Sequence, residues 1–282
     1  MGLEEEVTVT QGTRRSVVGG VSPRRASRSL FSSPPRALLA PIALAGVILL
    51  AWWVAAVVAD SSVFPTPTEA VTSLLVDLVN PRFQTSILTT VTVLVVAFAA
   101  AGLIGAVLGM LLGLSAFWSS SILPIIYSFN SIPKITLYPV FLMLLGIGDF
   151  SRGTFAFVSG VLPMFLLVAE STAAVSRLHL KLAASLRLGW ARLLWHIVLP
   201  SIMPAIASGL RLTFGLTFLG LLLAEMFSGS SGLGYELVRN ITLAKMGNIM
   251  GEVILIATMA LVPTLFLQGL ERQVRHRFGG DT

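Results

Sequence analysis

The sequence predicts an all-α, polytopic membrane protein with about six spanning helices, and three observations predict it. Of 282 residues, 55% are hydrophobic and only 11% charged, whereas about a quarter of residues are charged in soluble domains. The apolar residues fall in runs long enough to cross a bilayer, where one helix needs about 20 residues, and polar or Gly/Pro-rich segments separate the runs. Lys and Arg are distributed unevenly between alternate connections. Little chain is left for a large cytosolic enzyme domain. With no cysteine, a disulfide framework, a thiolate metal site and a cysteine nucleophile are excluded.

Residues 1–36 carry Glu4, Glu5 and Glu6, then Arg14, Arg15, Arg24, Arg25, Arg28 and Arg36 among Ser, Gly and Pro. This composition reads as a disordered, basic, cytoplasmic tail. The run from 37 to 59 is longer than a signal-peptide core. It is read as an uncleaved anchor, although Val57, Val58 and Ala59 faintly resemble a cleavage site. The remaining spans are expected at 85 to 114, 122 to 147, 153 to 175, 203 to 227 and 251 to 270. Between the first two spans, Pro65, Pro67, Asp77 and Arg82 suggest an extended lead-in and a short interfacial helix on the outside.

With the N-terminus inside, the inner segments hold thirteen Lys or Arg. These are the six of the tail, then Arg177, Lys181, Arg187 and Arg192, then Arg272, Arg275 and Arg277. The outer segments hold four, Arg82, Arg152, Arg239 and Lys245. The positive-inside rule therefore places both termini in the cytoplasm. The division expected is a tail at 1–36, a transmembrane domain at 37–275 with an inner loop at 176–204, and a short tail at 276–282.

Gly105, Gly109 and Gly113 recur every four residues, so they share one helix face and suit close helix packing. Ionisable groups inside a span are costly and face a cavity or a partner; the candidates are Lys134, Glu170, Arg211 and Glu225. Lys134 lies in Asn130 to Pro139, with Ser131 and Tyr138, where two prolines remove helix hydrogen bonds. That stretch is read as a pathway segment, or else as a kink with a snorkelling lysine. Glu170 reads as a cavity-facing acid or half of a pair, and Glu225 as a cap, a loop partner or a solute contact.

The inner loop has apolar positions near helical spacing at Leu182, Leu186, Leu193, Leu194 and Ile197, with Arg187 and Arg192 among the charges. Gly189 offers a break, and Pro200 with Pro204 is expected to limit the second helical piece. The object is an amphipathic helix-turn-helix that either lies on lipid or docks into a cytoplasmic partner.

Enzyme signatures are lacking. No G-x-x-x-x-G-K-S/T phosphate loop occurs, so this chain is not itself a P-loop ATPase. His179, His196 and His276 lack the H-E-x-x-H spacing of a metal helix, and no metal site is expected. The Gly/Ser-rich stretch at Ser228 to Gly234 has no neighbouring base to activate a nucleophile.

Several ordered motifs resemble the permease subunits of ATP-binding-cassette importers, in the nitrate, sulfonate, taurine and bicarbonate-type family. Phe64-Pro65-Thr66-Pro67 is similar to the lead-in after that family's first span. Ser131-Ile132-Pro133 running to Leu145-Gly146-Ile147-Gly148-Asp149 resembles its S-I-P segment and F-G-I-G-E turn. Pro204 to Arg211, Ala224-Glu225-Met226 and Ser230-Ser231-Gly232-Leu233-Gly234-Tyr235 resemble its fifth span and outer loop. The resemblance covers residues 60 to 277. The family's coupling loop reads E-A-A, three residues, Gly, nine residues, then I-x-L-P. Counted back from Ile197-Val198-Leu199-Pro200, Lys181 stands at the glutamate, Leu182 and Ala183 at the alanines and Arg187 at the glycine.

The resemblance implies a non-catalytic type I importer subunit in a bacterial inner membrane. It further implies two cytoplasmic ATPases carrying ATP and Mg, an extracytoplasmic solute-binding protein, a second permease, and no nucleic acid. The solute implied is a small anion, taken across by alternating access. Lys181, Leu182, Ala183, Leu186, Arg187, Gly189, Arg192 and Pro200 would couple to the ATPase. Because the loop glutamate is missing, the second permease is expected to be a different chain, the alternative being a second copy that docks through Leu182, Leu186 and Trp190. From the residues alone, an ion-driven transporter or channel and a membrane scaffold remain as alternatives.

Overall fold

The computed structural model describes residues 34–59, 63–175, 185, 189–228 and 230–278, and divides into two units, 1–50 and 51–282. In the first unit the described chain is the opening of α1 (Pro34–Ala59), where Leu44 and Ile48 are exposed. In the second unit every regular element among the described residues is helical.

The connection between the first two expected spans is capped at both joints. Thr66 starts α2 (Pro67–Val79) through a reciprocal capping box: its hydroxyl accepts from the Glu69 N–H at 3.3 Å, and the Glu69 carboxylate accepts from the Thr66 N–H at 2.8 Å. Asn80 both ends α2 and starts α3 (Pro81–Gly113), accepting from the Arg82 N–H at 3.0 Å. The short helix expected in this connection is α2. Its partner α3 starts four residues before the expected span and, at about 1.5 Å per residue, is longer than a bilayer core is thick.

Ser115 caps α4 (Ala116–Asn130), so the inner connection expected at 115 to 121 shrinks to the turn at Leu114 and Ser115. The third span differs from its expected continuous form. After α4 the chain breaks at Ser131 to Pro133, resumes as a 3-10 turn (Lys134–Leu137) and α5 (Tyr138–Leu145), and the two halves meet at 81°. Pro133 has no N–H to extend α4 and keeps Ile132 out of helical geometry. Gly146, at φ +76°, ends α5 in a conformation that suits glycine. Next comes α6 (Asp149–Ala173).

Helix resumes at Trp190, passes through a π-helical stretch at Leu194–Val198, and continues as α7 (Leu199–Ser228). Pro200 and Pro204 thus do not limit the helix as expected. At Pro200 the π turn offers a physical reason: Leu199 bonds back to the Leu194 carbonyl, and this wider turn relieves the proline ring of the carbonyl it would otherwise strike. The short amphipathic α8 (Leu233–Thr242) follows, and then α9 (Met246–Phe278).

Among the described residues, four helices are long and apolar enough to cross a membrane: α3, α6, the helix from Trp190 through α7, and α9. The bent α4–α5 pair makes a fifth if it is one crossing, and Ala43–Ala59 is a shorter apolar helix.

The core is the packing of α6 between α3 and α7. A Cβ added at Gly105 would lie 2.8 Å from the Met164 Cβ; at Gly109 it would lie 2.5 Å from the Phe165 carbonyl, and at Gly113 2.5 Å from that of Ala169. Only glycine lets α3 approach α6 this closely. Lipid is as apolar as leucine, so such close backbone packing is what holds helices together in a bilayer. Towards one end Leu94, Ala97, Ala156, Phe214 and Leu221 fill the space; towards the other, Met164, Val168, Val198 and Ile202.

Candidate functional site

The break between α4 and α5 opens a cavity of about 350 Å³. Asn130, Ser131 and Lys134 line one side of it and Leu216, Leu219 and Leu223 of α7 another. Lys134 is half-buried, and its ammonium donates to the Ser159 carbonyl of α6 at 3.3 Å. The hydroxyl protons of Ser131 and Ser159 go to the helix carbonyls of Tyr127 and Phe155, at 3.0 and 2.8 Å. Of the expected pathway residues, the structure brings Asn130, Ser131 and Lys134 together here.

The other four stand elsewhere. Tyr138 is buried against Phe155 and Phe227, with ring centroids 5.0 and 6.1 Å away. Glu170 lies in the last turn of α6 with an exposed side chain, at the end of its helix rather than mid-span. Arg211 of α7 pairs with Glu271 of α9 at 3.0 Å. Glu271 also takes Arg275 at 2.9 Å and the Ser208 hydroxyl at 2.8 Å. Glu225 is fully buried near the C-terminal end of α7; one oxygen accepts from the Thr90 hydroxyl at 2.8 Å and the other from the Gly234 N–H at 2.9 Å. The N–H of Leu233 donates to the Thr90 oxygen at 2.9 Å, so the first turn of α8 is fastened to α3 and α7 together.

Sequence reasoning missed the rest of this polar network. Arg152, counted only as an outer basic residue, is buried at the start of α6; it holds Asp149 and the Ser231 backbone carbonyl, and reaches the Ser231 hydroxyl at 3.0 Å. Glu236 of α8 binds Arg82 at 3.2 Å, Arg239 at 2.9 Å and the Ser86 hydroxyl at 3.2 Å. Asn240 donates to the buried Glu252 of α9 at 2.6 Å, and Asn248 to Asp77 of α2 at 2.7 Å. Two of these links had a sequence signal, the i,i+3 spacing of Glu236 with Arg239 and of Asp149 with Arg152. The long-range ones had none.

Of the expected coupling residues, Lys181, Leu182, Ala183, Leu186 and Arg187 lie outside the described residues. Gly189 precedes the first turn at Trp190, Arg192 is exposed in that turn, and Pro200 sits inside the helix. Exposed Trp190 and Trp195 flank this end, while Val198 is buried against the α3–α6 layer. Among the described residues no group of three or more His, Cys, Asp or Glu forms a metal-binding cluster.

Comparison with known proteins gives the family and its relatives. Residues 101–279 match the family described as binding-protein-dependent transport system inner membrane component. The taurine transport system permease protein TauC of Escherichia coli (strain K12) is 26% identical, over 81% of this chain and 86% of its own. The nitrate import permease protein NrtB of Synechocystis is 25% identical, over 92% and 97%. The bicarbonate transport system permease protein CmpB of Synechococcus elongatus is 26% identical, over 63% and 64%.

Proposed function

The chain belongs to the family of binding-protein-dependent transport system inner membrane components, and from that premise we propose that it carries a small anion across the bacterial inner membrane along a path beside the α4–α5 break. It is a non-catalytic permease subunit of an ATP-binding-cassette importer, which replaces the ion-driven transporter and scaffold alternatives. The observation that carries the pathway reading is the polar break itself: non-helical backbone at membrane depth is tolerated where it lines a cavity, and here it lines one with Lys134. The anion reading is supported by that lysine and by the nitrate and bicarbonate permeases among the relatives.

The working assembly in this reading has two permeases, two cytoplasmic ATPases that bind ATP and Mg, and an extracytoplasmic solute-binding protein. The permease has six crossings, with α1 first and the bent α4–α5 pair third, and both termini are cytoplasmic. The loop at 176–204 touches the ATPase, and the second permease is a different chain with a complete coupling motif. Nucleotide-driven closure of the ATPases shifts this loop and rocks α3, α6 and α7, and the cavity changes the side to which it opens.

The test is uptake by the reconstituted complex, with its ATPase and binding protein, of labelled nitrate, bicarbonate, propanesulfonate and an organic cation. ATP-dependent uptake of an anion is expected. Uptake confined to cations would refute the anion reading.

A further inference from the structure

The cavity at the α4–α5 break has two chemically different walls. On the side of the break and α6, the hydroxyl protons of Ser131 and Ser159 are spent on helix carbonyls. The Lys134 ammonium carries three donors, of which the Ser159 carbonyl takes one at 3.3 Å. Among the described residues no carboxylate pairs with it; every ion pair found there is made by an arginine. An unpaired ammonium, half-buried in a span, is costly to hold and is relieved by an anion. The facing wall of α7 offers Leu216, Leu219 and Leu223, with Gly220 between them close against Ser159.

We propose that this cavity is a subsite for an organic monoanion, with Lys134 holding the charged group and the α7 leucines the apolar body. The inference rests on the permease reading above and narrows its solute. A small inorganic anion would satisfy the lysine and leave the leucine wall wet. A neutral solute would leave the ammonium unpaired, and a dianion would lack a second cation, because among the described residues no arginine lines the cavity. A volume of about 350 Å³ stands at the lower end of small-molecule sites, about 300 to 1,000 Å³.

The chain has only three lysines, Lys134, Lys181 and Lys245, which makes a direct test available in the intact permease–ATPase complex. The amines are modified with methyl acetimidate, with and without propanesulfonate, nitrate or sulfate, and each lysine peptide is followed by mass spectrometry. Propanesulfonate is expected to slow modification of Lys134 and leave Lys245 unchanged, with nitrate and sulfate protecting weakly at equal ionic strength. In proteoliposomes, Lys134→Met is expected to lower propanesulfonate uptake at least about tenfold, while Lys134→Arg, which keeps the charge, retains part of it.

Equal protection by all three anions, or none, overturns the subsite. So does wild-type uptake by an assembled Lys134→Met complex. If the wild type imports anions while Lys134 goes unprotected, only this inference fails. If it imports cations alone, the anion reading fails with it.

Discussion

Thr90 of α3 and Glu225 of α7, 135 residues apart, share a buried 2.8 Å hydrogen bond. The pair is the floor on which α8 rests, because the Leu233 N–H donates to Thr90 and the Gly234 N–H to Glu225. Gly232 crosses the Glu225 carboxylate at φ +101°, where a side chain has neither room nor a favourable backbone. Three helices are thus joined through one carboxylate and one hydroxyl.

Thr90→Ala removes one hydroxyl and with it two hydrogen bonds, to Glu225 and from the Leu233 N–H. The expected loss is up to about 1.7 kcal/mol, the upper end for interhelical hydrogen bonds in membranes, read as a lower melting temperature of the purified complex. Glu225→Ala is expected to cost more, and a double-mutant cycle should show that the two losses do not add. Full additivity would mean that the pair does not act as one unit.

The glycine face of α3 gives a steric prediction. Gly109→Ala places a methyl 2.5 Å from the Phe165 carbonyl, and overpacking of this kind costs about 1 to 3 kcal/mol. Gly215→Ala in α7 meets nothing within 4 Å and is expected to leave stability unchanged or raise it by about 0.5 to 1 kcal/mol. Thermal unfolding in detergent ranks the two; equal melting temperatures would contradict the close contact.

At the other end of the bundle, Glu271 bridges Arg211 and Arg275. Removing only the acid leaves two guanidinium groups with a lost partner, so Glu271→Leu is expected to destabilise. Adding Arg211→Met should recover much of the loss, since replacing an ion pair by apolar groups is often neutral while breaking one is not. A double variant no more stable than the single one would show that Arg211 matters for another reason.

What could be read in the sequence follows from range. The apolar runs and the Gly105, Gly109 and Gly113 spacing are local patterns, and α3, α6, α7 and α9 appear where the runs lie. The capped lead-in was also local: Thr66, Pro67 and Glu69 write a helix start in four residues. Pro200 and Pro204 misled because proline is a weaker stop in a membrane helix, where neighbouring groups and π turns absorb its missing bond. The 81° bend was half legible; Pro133 marked a disturbance, but its angle depends on what α5 packs against, Tyr138 on Phe155 above all. Arg152 with Ser231, and Arg211 with Glu271, join residues far apart in sequence, and nothing local identifies such pairs.

The proposed orientation predicts a labelling pattern, and the chain has no native cysteine to interfere. A cysteine at Thr242, exposed at the end of α8, is expected to react with a membrane-impermeant maleimide in spheroplasts. One at Ser16 should react only after lysis. The reverse pattern would overturn the placement of both termini inside.

The last prediction concerns how nucleotide hydrolysis reaches the helices. A docking element must resist sliding and hold its orientation, which calls for an apolar plug and charge-assisted bonds. At the described edge of the inner loop, Trp190 and Arg192 are exposed while Val198 is buried against the α3–α6 layer. In the proposed coupling, a push on the exposed face would be passed into α7, whose helix is continuous from this turn. The proposed docking face extends to Leu186 and Arg187, where the guanidinium would bind an ATPase carboxylate or helix C-terminus in place of the missing glutamate. Losing one buried charged contact of this kind costs about 2 to 5 kcal/mol, whereas an arginine that only touches lipid contributes about 1 kcal/mol. Arg187→Glu and Leu186→Asp are accordingly expected to leave the permease inserted but to reduce solute-stimulated ATP hydrolysis in the reconstituted complex. Trp190→Ala should do so more mildly. Wild-type stimulation in all three, with the ATPase still bound, would make this loop a membrane-surface element and require coupling to run through another contact.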